Sequence, residues 1–193
     1  MRTSTWHASG LIAIGLGLLA HGAYIPAKAL VAQWLLESAW QRTLSGDSHA
    51  RPWHWADTWP IARLRQERLG VDQIVLTGAS GRVLAFAPGH VSGTTRPGEP
   101  GNVVLSGHRD THFRWLARLQ PGDELQLQLG DGRVTQYRVS RQAVHHQDDG
   151  YLLDPQAWDG LRLITCYPFD SLSSDADLRY VVDASPFDAP LAM

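Results

Sequence analysis

The sequence predicts an all-β domain, folded as a closed or nearly closed barrel with only short helices, behind an N-terminal apolar helix. Three observations predict it. From Ile61 onward, short β-type runs are separated by Gly, Pro and Asp, the pattern of many short strands joined by tight turns. Within that region Leu125, Leu127 and Leu129 alternate with Glu124, Gln126 and Gln128, which is the period-two signature of a half-buried strand. Before Asp47, by contrast, apolar residues recur at helical spacing. A length of 193 residues suits one core of ordinary size with an N-terminal attachment and is too short for two comfortable domains.

Taken in chain order, the first element is the run from Ala8 to Ile25, which contains no Asp, Glu, Lys or Arg. Its 18 residues would span about 27 Å as a helix, just short of the roughly 30 Å hydrocarbon core of a bilayer. Two readings stand. Arg2 ahead of the run and the small residues of Ala27-Lys28-Ala29 after it fit a cleaved signal peptide. An uncleaved anchor, its short basic end in the cytoplasm, is favoured because Leu30, Val31, Trp34, Leu35, Leu36 and Trp40 continue the apolar helical pattern beyond Pro26. Either reading exports the remainder.

Residues 27–45 are expected to be helical, with Gly46 as the stop. The domain organisation is therefore an anchor and following helix over 1–46, a Trp- and Pro-rich linker over 47–60 and the barrel domain over 61–193. Trp53, Trp55 and Trp59 in the linker suit either the headgroup level of a membrane or packing onto the domain. Expected strands are Ile61 to Gln66, Asp72 to Thr77, Asn102 to Ser106, Glu124 to Leu129, Val134 to Ser140, Ala143 to His146, Leu161 to Thr165 and Arg179 to Asp183. Gly130-Asp131-Gly132 closes a hairpin before Val134. Short helical pieces fit at Ser80 to Leu84, Phe113 to Leu116 and Pro155 to Trp158, and His90, in Pro88-Gly89-His90, reads as a turn residue.

Seventeen basic against 19 acidic residues give a net charge of -2, with no basic block able to track a phosphate backbone, so no nucleic-acid partner is expected. Sixteen of the basic residues are arginine, Lys28 being the exception, which weakens the meaning of any one arginine near a site. Cys166 is the only cysteine. It ends the apolar run Leu161 to Ile164 just before Pro168, and an exported lone thiol is a liability unless its chemistry is used. Two further polar features flank apolar strands: Gly107-His108-Arg109-Asp110 after Val103-Val104-Leu105, and Arg179 ahead of Tyr180-Val181-Val182.

A cysteine nucleophile needs a histidine to hold the proton its thiolate gives up, and a donor aimed at the developing oxyanion. A guanidinium supplies that charge without titrating. His108, Cys166 and Arg179 provide the three parts, although 58 and 13 residues separate them (166 minus 108 and 179 minus 166), so only the fold can join them. Arg109 should face away from His108 because adjacent strand residues point to opposite faces, while Asp110 could share its face and orient the ring. His108-x-x-x-His112, with His145 and His146 elsewhere, lacks the cysteine pair that would support a zinc site, and no metal or other cofactor is expected.

Over about Ile61 to Asp183 the chain resembles a sortase, a membrane-anchored cysteine transpeptidase. The resemblance rests on Leu105-Ser106-Gly107-His108-Arg109, on Leu163-Ile164-Thr165-Cys166 and on Leu178-Arg179-Tyr180-Val181-Val182. Trp55-Ala56-Asp57-Thr58-Trp59-Pro60 and Cys166-Tyr167-Pro168-Phe169 look most similar to the Gram-negative branch, while Arg162 stands where the family usually has threonine. The resemblance implies an eight-stranded β-barrel, a single-pass anchor in the inner membrane and a periplasmic catalytic domain. It implies as partners a secreted protein with a C-terminal LPxTG-like sorting signal and an amine acceptor. In that reading Cys166 forms a thioacyl intermediate, His108 moves protons, Arg179 binds the oxyanion or the substrate backbone, and Thr165 helps shape the substrate pocket. Two other readings are open: a cysteine L,D-transpeptidase acting on peptidoglycan, whose usual Ser-x-Gly-Cys context is absent, and a non-catalytic membrane-tethered β-module.

Overall fold

Strands whose side chains alternate between core and solvent can satisfy every edge by closing the sheet on itself, and that is the architecture in the computed structural model of the chain. The structure describes residues 3–171 and 176–187, the side chains of residues 3–17, 19, 20 and 23 excepted. Among the described residues the strands are β1 (Pro60–Gln66), β2 (Val71–Thr77), β3 (Gly89–His90), β4 (Asn102–Ser106), β5 (Glu124–Leu129), β6 (Val134–His146), β7 (Gly160–Tyr167) and β8 (Leu178–Pro186). They close a barrel in the order β1-β2-β3-β4-β7-β8-β6-β5. Two pairs, β2 with β3 and β4 with β7, are parallel; the rest are antiparallel.

The barrel interior is filled by one face of each long strand: Leu64, Val75, Leu105, Leu127, Leu163 and Val182 are all fully buried in a single cluster. A second, smaller cluster lies on the outside of β4, β7 and β8, where Val104, Ile164 and Val181 pack under Leu152 and Val91. The two clusters fix the parity of each strand. In β4, β7 and β8 the residues at 103, 105, 161, 163, 182 and 184 face in, and those at 104, 164 and 181 face out.

The strand expectations hold with two differences. Val134 to His146 is one strand rather than two, because the irregularity between Val139 and Arg141 is absorbed as a register shift against β8, with the Ser140 hydroxyl donating to the Asp183 carbonyl at 3.1 Å. His90 is not a turn residue but half of β3, a strand of two residues with too little sequence to show a period. The helix expected at Pro155 to Trp158 is absent. The Pro155 carbonyl accepts from the Asn102 backbone N–H at 3.0 Å, which ties that segment to β4, and a 3₁₀ turn forms upstream at Gly150–Leu153. The helical pieces near Ser80 and Phe113 appear as α2 (Gly81–Leu84), capped by the Ser80 side chain, and a 3₁₀ turn at Arg114–Arg118.

The N-terminal region forms one helix, α1 (Thr3–Leu44), which continues through Pro26. Its C-terminal half is part of the folded domain: Leu36 and Trp40 pack with Ile74, Leu76, Val83 and Ala87. Glu37 pairs with Arg63 at 3.0 Å, and Arg63 also pairs with Asp72. Burial works against the charge of Asp72, yet Arg63 and Arg65 hold its carboxyl below the ordinary carboxylate range. The anchor expected at Ala8 to Ile25 falls mostly on side chains outside those described. Among the described residues, no helix is long and apolar enough to cross a membrane. Of the linker tryptophans, Trp53 packs edge-on against Phe86 and Trp59 against His49, whereas Trp55 is exposed.

His90 is buried, with Nε2 at 2.8 Å from the Thr95 carbonyl and 3.2 Å from the Thr94 hydroxyl. Burial lowers its imidazole below the usual value of 6.5; the Thr95 contact opposes the shift and the charge of Arg96 adds to it. The unfolded chain therefore binds a proton, at and below about pH 6.5, that the folded chain resists. The stability conferred by keeping His90 neutral is present above that value and is lost as the pH falls. The melting temperature should drop between about pH 7.5 and pH 5.5, and His90→Gln, which keeps a donor for Thr95, should flatten that drop. An unchanged acid slope in the variant would show that His90 does not set it.

Candidate active site

Pairing register decides which side chains meet. In the parallel pair β4–β7, Ser106 lies opposite Ile164. The ladder runs on past the strand end, since the Gly107 N–H donates to the Ile164 carbonyl at 3.2 Å and the Thr165 hydroxyl donates to the Gly107 carbonyl at 2.7 Å. Two residues beyond the Ser106–Ile164 pair are His108 and Cys166 (106 plus 2 and 164 plus 2). In the antiparallel pair β7–β8, Cys166 lies opposite Arg179. Parity then sets the direction: 104 and 106 share one face, as do 164 and 166, and 179 and 181. Cys166 and Arg179, opposite each other across β7 and β8, thus share the outer face with Ile164 and Val181, and His108 follows Gly107, whose N–H bonds to the Ile164 carbonyl.

Each of the three is held differently. Cys166 is a free thiol, half-buried near the end of β7. His108 is exposed in the turn after β4, its carbonyl accepting from the Phe113 N–H at 2.9 Å. Position 107 must be glycine here, because a Cβ would sit 2.8 Å from the fully buried Phe113 ring. His112 lies half-buried nearby, and burial together with repulsion from His108 lowers its pKa. The Arg179 guanidinium donates through Nη1 to the carbonyls of Ala176 and Leu178 and through Nη2 to Gln147 Oε1 at 3.0 Å. Among the described residues, two of its five N–H donors, one on Nε and one on Nη2, have no partner.

Gln147 does more than accept. Its backbone N–H donates to the Asp177 carbonyl at 2.7 Å and its side-chain amide to Asp177 Oδ1 at 3.2 Å. The segment leaving β6 is thereby fastened to the segment entering β8, with Arg179 in the fastening. The wall opposite is the 3₁₀ turn Gly150–Leu153. A cavity of about 270 Å³ lies between them, lined by Val91, Ser106, Gln147, Leu152, Ile164 and Arg179. A larger cavity of about 760 Å³, between the end of α1, Trp59 and the segment after β3, includes none of His108, Cys166 and Arg179.

Arg162, which departs from the usual family pattern, lies on the same strand face as Ile164 and Cys166 but does not enter the groove. It is buried, pairing through Nε with Asp183 Oδ1 at 2.7 Å and donating from Nη1 to the Leu152 carbonyl at 3.0 Å. Asn102, fully buried, donates to the carbonyls of Leu152 and Asp154 at 3.0 and 2.9 Å. Both side chains tie the cavity wall to the barrel. Arg109, expected to face away from His108, is buried and donates to the carbonyls of Pro168 and Ser171 at 3.0 Å each, so it links the exit of β4 to the exit of β7. Asp110 lies 3.4 Å from Arg109 Nε. Its carboxylate, expected to orient the His108 ring, is thus paired with the Arg109 guanidinium.

Thr165 is buried on the face of Leu161 and Leu163, with its hydroxyl committed to Gly107. Behind it Tyr167 stacks on Tyr180 at 6.1 Å, and Phe169 meets Tyr180 edge-on at 5.1 Å. Among the described residues no three His, Cys, Asp or Glu side chains gather as a metal-binding group. Sequence reasoning missed the contributions of Gln147, Asn102 and Asp183. Asp183 was legible as the polar outlier ending an apolar strand, and nothing in the sequence around Gln147 marks it.

With this geometry in view, the chain matches the sequence model of the sortase domain over residues 64–187. It is 34% identical over 115 residues to Sortase D of Bacillus subtilis strain 168, a match covering 60% of this chain and 58% of that protein. The chain therefore accounts for somewhat more than half the length of that curated relative. Among solved structures, it is similar to sortase C-1 of Actinomyces oris, with a TM-score of 0.59 and 27% identity over 67% of this chain and 76% of the other. It is also similar to a Clostridium perfringens Sortase D5 transpeptidase, with a TM-score of 0.57 and 27% identity over 79% and 89%.

The Arg162–Asp183 pair gives a direct test of what holds the groove wall. Asp183→Ala leaves the buried guanidinium without its carboxylate and should lower the unfolding free energy by about 3 kcal/mol or more in urea titration. A change within about 0.5 kcal/mol, the range of ordinary surface substitutions, would show that the pair carries no such load.

Proposed function

The chain belongs to the sortase family of cysteine transpeptidases, and we propose that it cleaves an LPxTG-like C-terminal sorting signal of a secreted protein and transfers the cleaved end to an amine acceptor. The observation that carries this reading is the pairing of Cys166 with Arg179 across β7 and β8, next to the parallel β4–β7 pair whose exit leads to His108. A thiol, an imidazole and a fixed guanidinium over one groove are the parts that acyl transfer through sulfur requires.

In this proposal Cys166 gives its thiol proton to His108, and the sulfur attacks the carbonyl carbon of the signal's threonine. The carbonyl oxygen gains negative charge, which the two undonated N–H groups of Arg179 meet. The threonine–glycine C–N bond then breaks, and His108 gives its proton to the departing amine, leaving a thioester on Cys166. An incoming amine attacks the thioester carbon and loses a proton to His108, and the C–S bond breaks, restoring the thiol and forming a new amide. Thr165 acts through its bond to Gly107, fixing the backbone that carries His108. The apolar cavity beside Arg179 receives the signal's side chains ahead of the cleaved bond.

We further propose that the enzyme works outside the cytoplasm, in the periplasm, held to the inner membrane by its N-terminal segment. Support comes from the uncharged run Ala8 to Ile25 and from a lone thiol whose export is tolerable only if it is used. The assignment to a Gram-negative branch rests on Trp55 to Pro60 and Cys166 to Phe169 alone, since the curated relative named above comes from a Gram-positive bacterium.

The test is mass spectrometry of the full chain incubated with a sorting-signal peptide. An adduct of the N-terminal peptide fragment should appear on Cys166 and be absent in Cys166→Ala. His108→Ala and Arg179→Ala should each slow its formation by about 10²- to 10⁴-fold. Turnover by Cys166→Ala at the parent rate would remove the proposal.

A further inference from the structure

A helix that is apolar on every side is stable only where something apolar covers it. Between Leu18 and Trp34, the only side chains of α1 that are neither apolar nor aromatic are His21, Lys28 and Gln33. Yet every described side chain from Leu18 to Val31 is exposed, and Ile25, Leu30 and Trp34 are 75%, 72% and 69% accessible. Among the described residues, no part of the barrel covers this surface.

The outward face of α1 then changes character. At 3.6 residues per turn, Ala32, Leu36, Ala39, Trp40 and Thr43 share the side packed on the barrel, and all are buried. The opposite side carries Leu30, Val31 and Trp34, and after them Ser38 and Gln41. Its polarity reverses between Trp34 and Ser38, part-way along an unbroken helix. Beside this point Trp55, 72% exposed, joins Val31, Leu35, Trp53 and Phe86 in lining an apolar groove of about 510 Å³, with Lys28 and Arg82 also on its lining.

We propose that this face enters a lipid bilayer along the length of α1 before Trp34, with the water boundary at Trp34 and the Trp53–Trp55 groove docked at headgroup level. Tryptophan, apolar in body and polar at its N–H, favours that depth. Lys28 and Arg82 suit lipid phosphates: Lys28 can extend its charge along an apolar stem, and Arg82 is exposed, with only a loose pair to Asp57 at 3.9 Å. From Ala8 to Trp34 the helix has 27 residues, about 40 Å, close to the roughly 40–45 Å thickness of a bilayer including its headgroups. The inference rests on the membrane-anchor reading above and goes beyond it. Because Leu36, Trp40 and Glu37 lock α1 to the barrel, the catalytic domain is held directly on the membrane at a fixed height, not suspended from a flexible tether.

Depth-dependent quenching on the full chain tests this. In a Cys166→Ala background, a single thiol is introduced by Trp34→Cys, Trp55→Cys or Val134→Cys, all exposed positions, and labelled with bimane. Each protein is placed in nanodiscs of phosphatidylethanolamine and phosphatidylglycerol containing headgroup spin-labelled lipid. The labels at 34 and 55 should lose most of their emission. The label at 134 should keep its emission, because the β5–β6 hairpin packs beside Thr43, nine residues or about 13 Å along α1 from Trp34. Disc-bound protein with both patch labels unquenched overturns the docking while leaving the anchor intact. Protein that does not enter discs at all overturns both. Patch labels shielded in a dimer without lipid overturn the proposal in favour of a second copy of the chain.

Discussion

The proposed site depends on one constraint, the parallel pairing of β4 with β7. Parallel neighbours run in the same direction, so their C-terminal ends come out together, and whatever follows each strand emerges at the same level. His108 and Cys166 follow from that single fact. The antiparallel return of β8 brings Arg179 up on the other side of Cys166. A slip of one residue in either pairing would turn one of the three side chains into the barrel, because the side-chain period of a strand is two. The fully buried leucines on the inner face of these strands penalise such a slip and so set the geometry of the outer face.

Around this site, buried polar groups position the backbone. Arg162 and Asp183 pair across β7 and β8 and pass a hydrogen bond to the Leu152 carbonyl, Asn102 holds the same turn from β4, and Arg109 grips the segment leaving β7. Each of these groups is buried, and an unpaired buried charge or amide costs several times what a formed pair returns. The loops around the groove are therefore fixed where the chemistry needs a wall. At Gln147 the fastening is solvent-exposed and joins two loops through Arg179 itself, so movement of either loop would be felt at the guanidinium.

Much of this was legible in the chain. Alternation in Leu125 to Leu129 and the Gly130-Asp131-Gly132 turn announced β5 and its hairpin, and apolar runs ending at Ser106 and Cys166 marked the strand ends that carry the chemistry. Parity set Arg109 apart from His108, and the one is buried while the other is exposed. What failed did so for physical reasons. A strand of two residues has no period to read, so β3 and the burial of His90 were invisible. Ser140 looked like a break because a bulge and a strand end use the same polar residues. Arg162 looked like a residue of the cleft wall, and its partner is the Asp183 that lies opposite it in β8, which only the register reveals.

The central claim, that register alone carries His108 to the side of Cys166, is tested most directly by chemical bridging. In His108→Cys the chain has two thiols, and treatment with a short bifunctional methanethiosulfonate followed by peptide mass mapping reads their separation. An intramolecular bridge between positions 108 and 166, formed at equimolar reagent and low protein concentration, is the predicted result. Two sulfurs that each take a separate reagent molecule, with no bridge at any reagent ratio, would contradict the account.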